Sequence, residues 1–240
     1  MMKKVLIGAV VLFVTCIVLT DSFAGEKPRI GVLRFTNETN AGWWGATAGR
    51  DLQDMLINEL AGMKCFDVLE RKELDAVIGE QDLGASGRIE GGTRAKIGKL
   101  TGAKYLVAAT VSAFEQGTSG DGAGIQISGF RIGGDRDKAY MAVDLKVIEV
   151  DTGKIFDSRT VEATSKSGAI SIGYSGGDFG GDLGKHSKTP TGKAIRGCVM
   201  EIAEYLECSM VKGKNNSCMQ EYEAKEAARR DKTKGSIDLE

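Results

Sequence analysis

The chain has 240 residues, 27% of them charged and almost balanced at a formal net charge of −1, with one histidine and five cysteines. That balance, with no basic stripe interleaved with aromatics, excludes a nucleic-acid footprint. A single imidazole leaves His/Cys metal sites and triad catalysis poorly supplied.

The first element is a leader. Lys3 and Lys4 supply its charge, Val5 to Leu19 an unbroken apolar run, and Ser22 and Ala24 small residues at signal-peptidase spacing. Residues 1–24 therefore read as a signal peptide, which sends the chain to the bacterial periplasm or outer membrane. The apolar run falls short of the roughly 20 residues of a comfortable membrane span, which counts against an uncut anchor. Lipidation at Cys16 is the other alternative, but Phe13, Val14 and Thr15 are not the Leu-small-small approach such a site presents.

Beyond the leader, Ile30 to Phe35 reads as a strand. Leu52, Met55, Leu56 and Leu60 follow at helical spacing up to Gly62. Phe66 to Leu69 is a short strand, and Arg71 to Glu80 a helix expected to bury Leu74, Val77 and Ile78. After a polar, glycine-rich loop, Thr93 is placed to cap a third helix carrying Ile97 and Leu100. Tyr105 to Val111 is an apolar strand. Ala139 to Val150 and Ile155 to Thr164 form a hairpin around Asp151-Thr152-Gly153. A last helix runs from about Pro190 to Val211, with Ile195, Val199, Ile202 and Leu206 on one face.

This order predicts an α+β domain over 25–212, helices on one side of a mixed sheet, and a charged tail, 213–240, that is mobile or weakly helical. Four cysteines remain after cleavage: Cys65, Cys198, Cys208 and Cys218. The easiest pairing is Cys208 with Cys218, across a stretch able to turn the chain back, although four cysteines allow three pairings.

Two insertions interrupt the β-regions, at about 115–147 and 160–189. Between them, Gly117 to Gly134 and Gly168 to Gly184 hold fourteen of the 33 glycines, far more than connections between packed elements need. In the first, Ile125, Ile127, Phe130 and Ile132 lead into a strand whose Met141, Val143 and Leu145 share a face. That alternation suits a membrane hairpin, provided Ser128-Gly129 forms a bulge. Ala169, Ile170, Ile172, Tyr174 and Phe179 in the second insertion alternate less well, and two surface loops are the simpler alternative.

No catalytic or ligand-binding constellation is legible elsewhere in the sequence. Gly120 to Gly124 resembles a phosphate loop, but strand-like residues follow where a helix start is needed. His186 lies in the second insertion with no positioned partner legible, so neither an enzyme nor a cofactor is expected. Asn40, Trp43 and Trp44 sit in a short loop after the first strand, as a contact or constriction surface; alternatively one tryptophan folds onto the core with the other beside it.

Several segments together resemble the CsgG family: Val32 to Asn37, Asp51 to Leu56, Phe66 to Leu74 with Glu80 to Leu83, Thr101 to Val107, and Val147 to Ile155. The resemblance implies a periplasmic α+β domain that lends two β-hairpins to a shared outer-membrane barrel. The partners it implies are copies of itself in a ring and an exported or envelope polypeptide. It makes Ile125 to Gly134 with Ala139 to Val147 one hairpin, and Thr160 to Tyr174 with the following segment the second. By position it makes Asn40, Trp43 and Trp44 the constriction loop, shorter than the family channel's and without its Tyr and Asn-Phe. The alternative is a soluble periplasmic regulatory protein that binds partners through the insertions.

Overall fold

The computed structural model describes residues 26–117, 125–127, 130–132, 138–166 and 189–235. The signal peptide with Cys16, the Gly120 to Gly124 loop, Ser128-Gly129, and 167–188 with its alternating residues and His186 lie outside the described residues.

Strands β1 (Arg29–Val32), β2 (Thr36–Asn37), β3 (Asp67–Leu69), β4 (Tyr105–Gln116), β7 (Lys138–Glu149) and β8 (Ile155–Lys166) form one mixed sheet in the order β3-β1-β4-β7-β8. The short β2 pairs with β4, and β5 (Ile125–Ile127) and β6 (Phe130–Ile132) make a separate antiparallel pair. β1 runs parallel to β3 and β4, whereas β4, β7 and β8 alternate in direction. Helices α1 (Ala48–Met63) and α3 (Pro190–Leu206) cover one face of this sheet, so the expected α+β mixed-sheet architecture is present. No membrane-spanning hairpin appears among the described residues.

The helical spacing read from the sequence explains the core. Leu52, Leu56 and Leu60 of α1 and Ile195, Ile202 and Leu206 of α3 are fully buried, each side chain worth roughly 1.5–3 kcal/mol of burial. They press on Val107, Val143, Leu145 and Val147, also buried. Gln53 ties α1 to the end of β1, its Nε2 donating to the Val32 carbonyl at 2.7 Å. Gly49 starts this helix under the Phe35 carbonyl, so close that a Cβ would collide with it. Thr189 caps α3 by accepting from the Gly192 amide, with Pro190 at the first turn.

Four expectations change. Helix α2 (Leu74–Ala85) forms, but Val77 and Ile78 are 38% and 40% exposed and Gly84 is its buried residue, against Arg94 and Ala95. The third helix is absent. Residues 86–104 are irregular with Ile97 and Leu100 exposed, because two apolar positions among Gly91, Gly92 and Gly98 give no face worth burying. The tail beyond Lys212 contains an 18-residue helix, α4 (Ser217–Lys234), capped by Asn216, whose side chain accepts from the Met219 amide at 3.0 Å. Finally, Met141, Val143 and Leu145 are core residues under α3 rather than part of a membrane hairpin.

Helix α4 is held along β8, the long edge strand. Cys208 and Cys218 are disulfide-bonded at its base, the pairing the sequence favoured. The guanidinium of Arg159 lies 5.1 Å from the Tyr205 ring and 4.9 Å from the Tyr222 ring, and donates to the Tyr222 carbonyl at 2.7 Å. Higher up, Arg229 holds Glu226 at 2.7 Å and approaches Glu162 of β8 at 3.6 Å. Replacing Arg159 with alanine removes both ring contacts and one charge-assisted hydrogen bond, and should lower stability by about 1–2 kcal/mol in urea unfolding; an unchanged midpoint would show that α4 is held by other contacts.

Cys65 and Cys198 are free thiols. Burial pushes the Cys198 thiol up to about 12, and its Sγ donates to the Met141 carbonyl at 3.5 Å. At pH 8 a thiol-alkylating reagent should therefore modify the partly exposed Cys65 and leave Cys198 intact until the protein is unfolded. Mass mapping of the labelled peptides checks this, and native labelling at Cys198 would contradict its placement.

Candidate functional site

The Asn40–Trp44 loop and the described ends of both insertions meet at one end of the sheet. Strand β4 pairs with β7 in register from Tyr105↔Glu149 to Val111↔Val143, and a bulge between Val111 and Ala113 then brings Phe114 opposite Met141. The extra residue changes the phase of β4, so Phe114 turns to the helix-covered face with Met141. Trp43 packs edge-on against Phe114 at 5.6 Å and against Trp44 at 5.5 Å.

Trp43 is 5% exposed, and Trp44 is partly buried against it. Trp43 is therefore a core residue in the single chain, not a free constriction residue. Asn40 remains exposed. Its loop is braced internally: Asn37 Oδ1 accepts from the Thr39 amide at 3.0 Å and the Thr39 hydroxyl at 2.7 Å, and the Ala41 amide donates to Thr39 Oγ1 at 3.2 Å. The Glu38 amide, donating to the Val111 carbonyl at 3.0 Å, fixes the loop to β4 just before the bulge. This bracing was missed in the sequence, although Asn-x-Thr after a strand is a readable turn signal.

The first insertion leaves β4 and returns to β7 at paired positions. Gln116 lies opposite Ala139, and the Gly117 amide donates to the Lys138 carbonyl at 3.1 Å. The second leaves β8 beside it, since Lys166 is the partner of Lys138, and it ends at α3, where the Pro190 carbonyl accepts from Ser165 Oγ. Each insertion thus has its two ends clamped together.

Within the first insertion, Ile125 pairs with Ile132, Gln126 with Arg131 and Ile127 with Phe130. The partner of Ile125–Ile127 is Phe130–Ile132, not Ala139 to Val147.

The described residues contain no group of three His, Cys, Asp or Glu side chains placed to hold a metal ion, and no helix among them is long and apolar enough to cross a membrane. Glu115, opposite Tyr140 near the base of the first insertion, has its carboxyl raised by burial. Tyr140 is raised further, by burial and then by the nearby Glu162 carboxylate. Both shifts follow from burial at the stem and need no acid–base role.

The family model of the curli production assembly/transport component CsgG matches residues 16–237. The chain belongs to the CsgG family. Membership fits a non-enzymatic envelope role in assembly or transport. Among solved structures, the hypothetical protein CT253 from Chlamydia trachomatis is 13% identical over 78% of this chain and 100% of that one, at a TM-score of 0.47. A PelC dodecamer from Paraburkholderia phytofirmans is 14% identical over 74% of this chain and 87% of that one, at 0.38. The LpoB C-terminal domain from Salmonella enterica is 22% identical over 57% of this chain and 82% of that one, at 0.29. These scores mark distant likenesses to the CsgG-family chain. No curated protein matches it.

Proposed function

We propose that this protein is a non-enzymatic subunit of an oligomeric outer-membrane pore that exports an unfolded polypeptide, each copy lending two hairpins to a shared barrel. The observation that carries the reading is the pair of clamped stems, which release both glycine-rich insertions side by side from the same end of the sheet.

Chain length supports it. Residues 118–137 and 167–188, the stretches beyond the stems, each provide two arms close to the 9–11 residues of a barrel strand. The register supports it as well: the β5–β6 pairing lies only two residues out of step with the β4–β7 pairing. A single hairpin, Tyr105 to Ile127 against Phe130 to Glu149, would need one small irregularity to be continuous. In such a ring the braced loop with Asn40 would sit beneath the barrel as its constriction.

The test is extraction of the native protein from outer membranes in mild detergent, followed by sizing, gel migration with and without boiling, and planar-bilayer conductance. A membrane-derived ring that dissociates on boiling and conducts supports the pore. A monomer or small oligomer released with the soluble periplasm overturns it, leaving the insertions as partner-binding loops of an envelope regulatory protein.

A further inference from the structure

We propose, resting on the pore reading above, that a cleft at the end of the sheet opposite the insertions binds a short acidic segment of the exported polypeptide, one that also carries an apolar side chain.

The cleft holds about 570 Å³, within the ~300–1,000 Å³ usual for ligand sites. It lies between the lead into β1, the start of β4 and the turn that joins β7 to β8. Backbone hydrogen bonds fix these three segments to one another. The Lys104 amide donates to the Arg29 carbonyl at 3.0 Å, and the Val150 amide donates to the Lys104 carbonyl at 2.9 Å.

Two aromatic rings make the apolar part. Tyr105 and Phe156 stand 5.0 Å apart between centroids, tilted by 52°, and Met210 lines the cleft with them. Phe156 is 36% exposed, and Val150 and Ile155 of the same turn are exposed further. Each ring already attracts a cation: Lys104 Nζ lies 5.5 Å from the Tyr105 centroid and Lys214 Nζ 5.1 Å from that of Phe156.

The charged side chains lining the cleft are Glu26, Lys27, Arg29, Lys104 and Asp151. Glu26 and Arg29 face each other at 3.7 Å and largely cancel, and Arg29 also donates to the Gly102 carbonyl at 3.3 Å. With Lys214 at the edge, three ammonium groups remain against Asp151. In the adjoining turn Glu149 accepts from the Thr152 hydroxyl at 2.6 Å, and Lys154 adds a further exposed cation. An excess of positive charge beside open rings suits a segment that interleaves carboxylates with apolar side chains.

Position favours a peptide over a lipid headgroup. The first insertion leaves the sheet at Gln116 and Ala139, whereas Tyr105 and Glu149 pair at the cleft's end. In the proposed pore the cleft therefore faces away from the membrane, toward the compartment that supplies the exported chain.

The experiment is fluorescence anisotropy of the full chain in mild detergent, with a labelled Asp-Phe-Glu-Leu-Asp-Phe peptide and a counterpart carrying Asn and Gln in place of the acids. The acidic peptide should bind about tenfold more tightly and weaken as salt is raised. Lys27→Glu with Lys104→Glu, and separately Phe156→Ala, should each weaken it about tenfold, while Lys146→Glu, at an exposed position in the middle of β7, should not. Equal binding of the two peptides, or binding that ignores the cleft variants, overturns the proposal. So does a preference, through the same residues, for phosphatidylglycerol vesicles over the acidic peptide. Conductance separates the two readings: a ring that conducts without binding the peptide overturns the cleft alone, and a chain that binds it but forms no ring overturns the pore alone.

Discussion

Replacing Leu145 with alanine should destabilise the domain by about 2–5 kcal/mol, the usual range for a fully buried leucine. Leu145 is 1% exposed in β7, between Ala109 and Arg159 on the neighbouring strands, and α3 closes over that strand. A cavity there cannot collapse easily, because two strands and a helix surround it. Urea unfolding of the extracted protein measures the loss. The comparison is Ile127→Ala, in the β5–β6 pair outside the main sheet, which should leave the midpoint unchanged. If Leu145→Ala were equally silent, the residue would not be in the core, and the hairpin first expected from the sequence would be the better account.

Removing the disulfide, by Cys208→Ala with Cys218→Ala or by reduction, should cost about 3 kcal/mol, the loop-closure value for a short loop; the two cysteines are 10 residues apart. The loss should be local as well as global. Helix α4 buries little beyond Met219 and Tyr222, so without the bond its amide hydrogens should exchange much faster than those of α3. Mass-detected hydrogen exchange distinguishes the cases. An α4 that stays protected after reduction would mean that its side-chain contacts, the Arg159 stack on Tyr205 and Tyr222 and the Arg229–Glu162 pair among them, hold it without the bond.

Helices α1 and α3 were legible because their buried residues repeat at the helical period, and the β7–β8 hairpin because its glycine turn is explicit: Gly153 has φ +68°. The same period misled at α2, since amphipathicity says that a side wants cover without saying that this chain supplies it. Charge hid α4, although Asn216 ahead of Cys218-Met219 is a readable cap signal. The first hairpin was paired wrongly because period-two apolar residues look alike in a core strand and a membrane strand; only the register separates Met141, Val143 and Leu145 from Ile125, Ile127, Phe130 and Ile132. Of the tryptophan loop, the sequence showed the position. Trp43's burial depends on a β4 bulge with no local marker.

The clamped stems also set an order of events. The sheet completes its ladder through Gln116 and Ala139, and Ser165 closes against Pro190, without help from the residues between. The pairing of the main sheet therefore closes at the stems. If the insertions form the proposed barrel, a protomer holds a complete sheet before they are engaged. In the proposed pore, membrane insertion would then be the last step of assembly rather than a condition of folding.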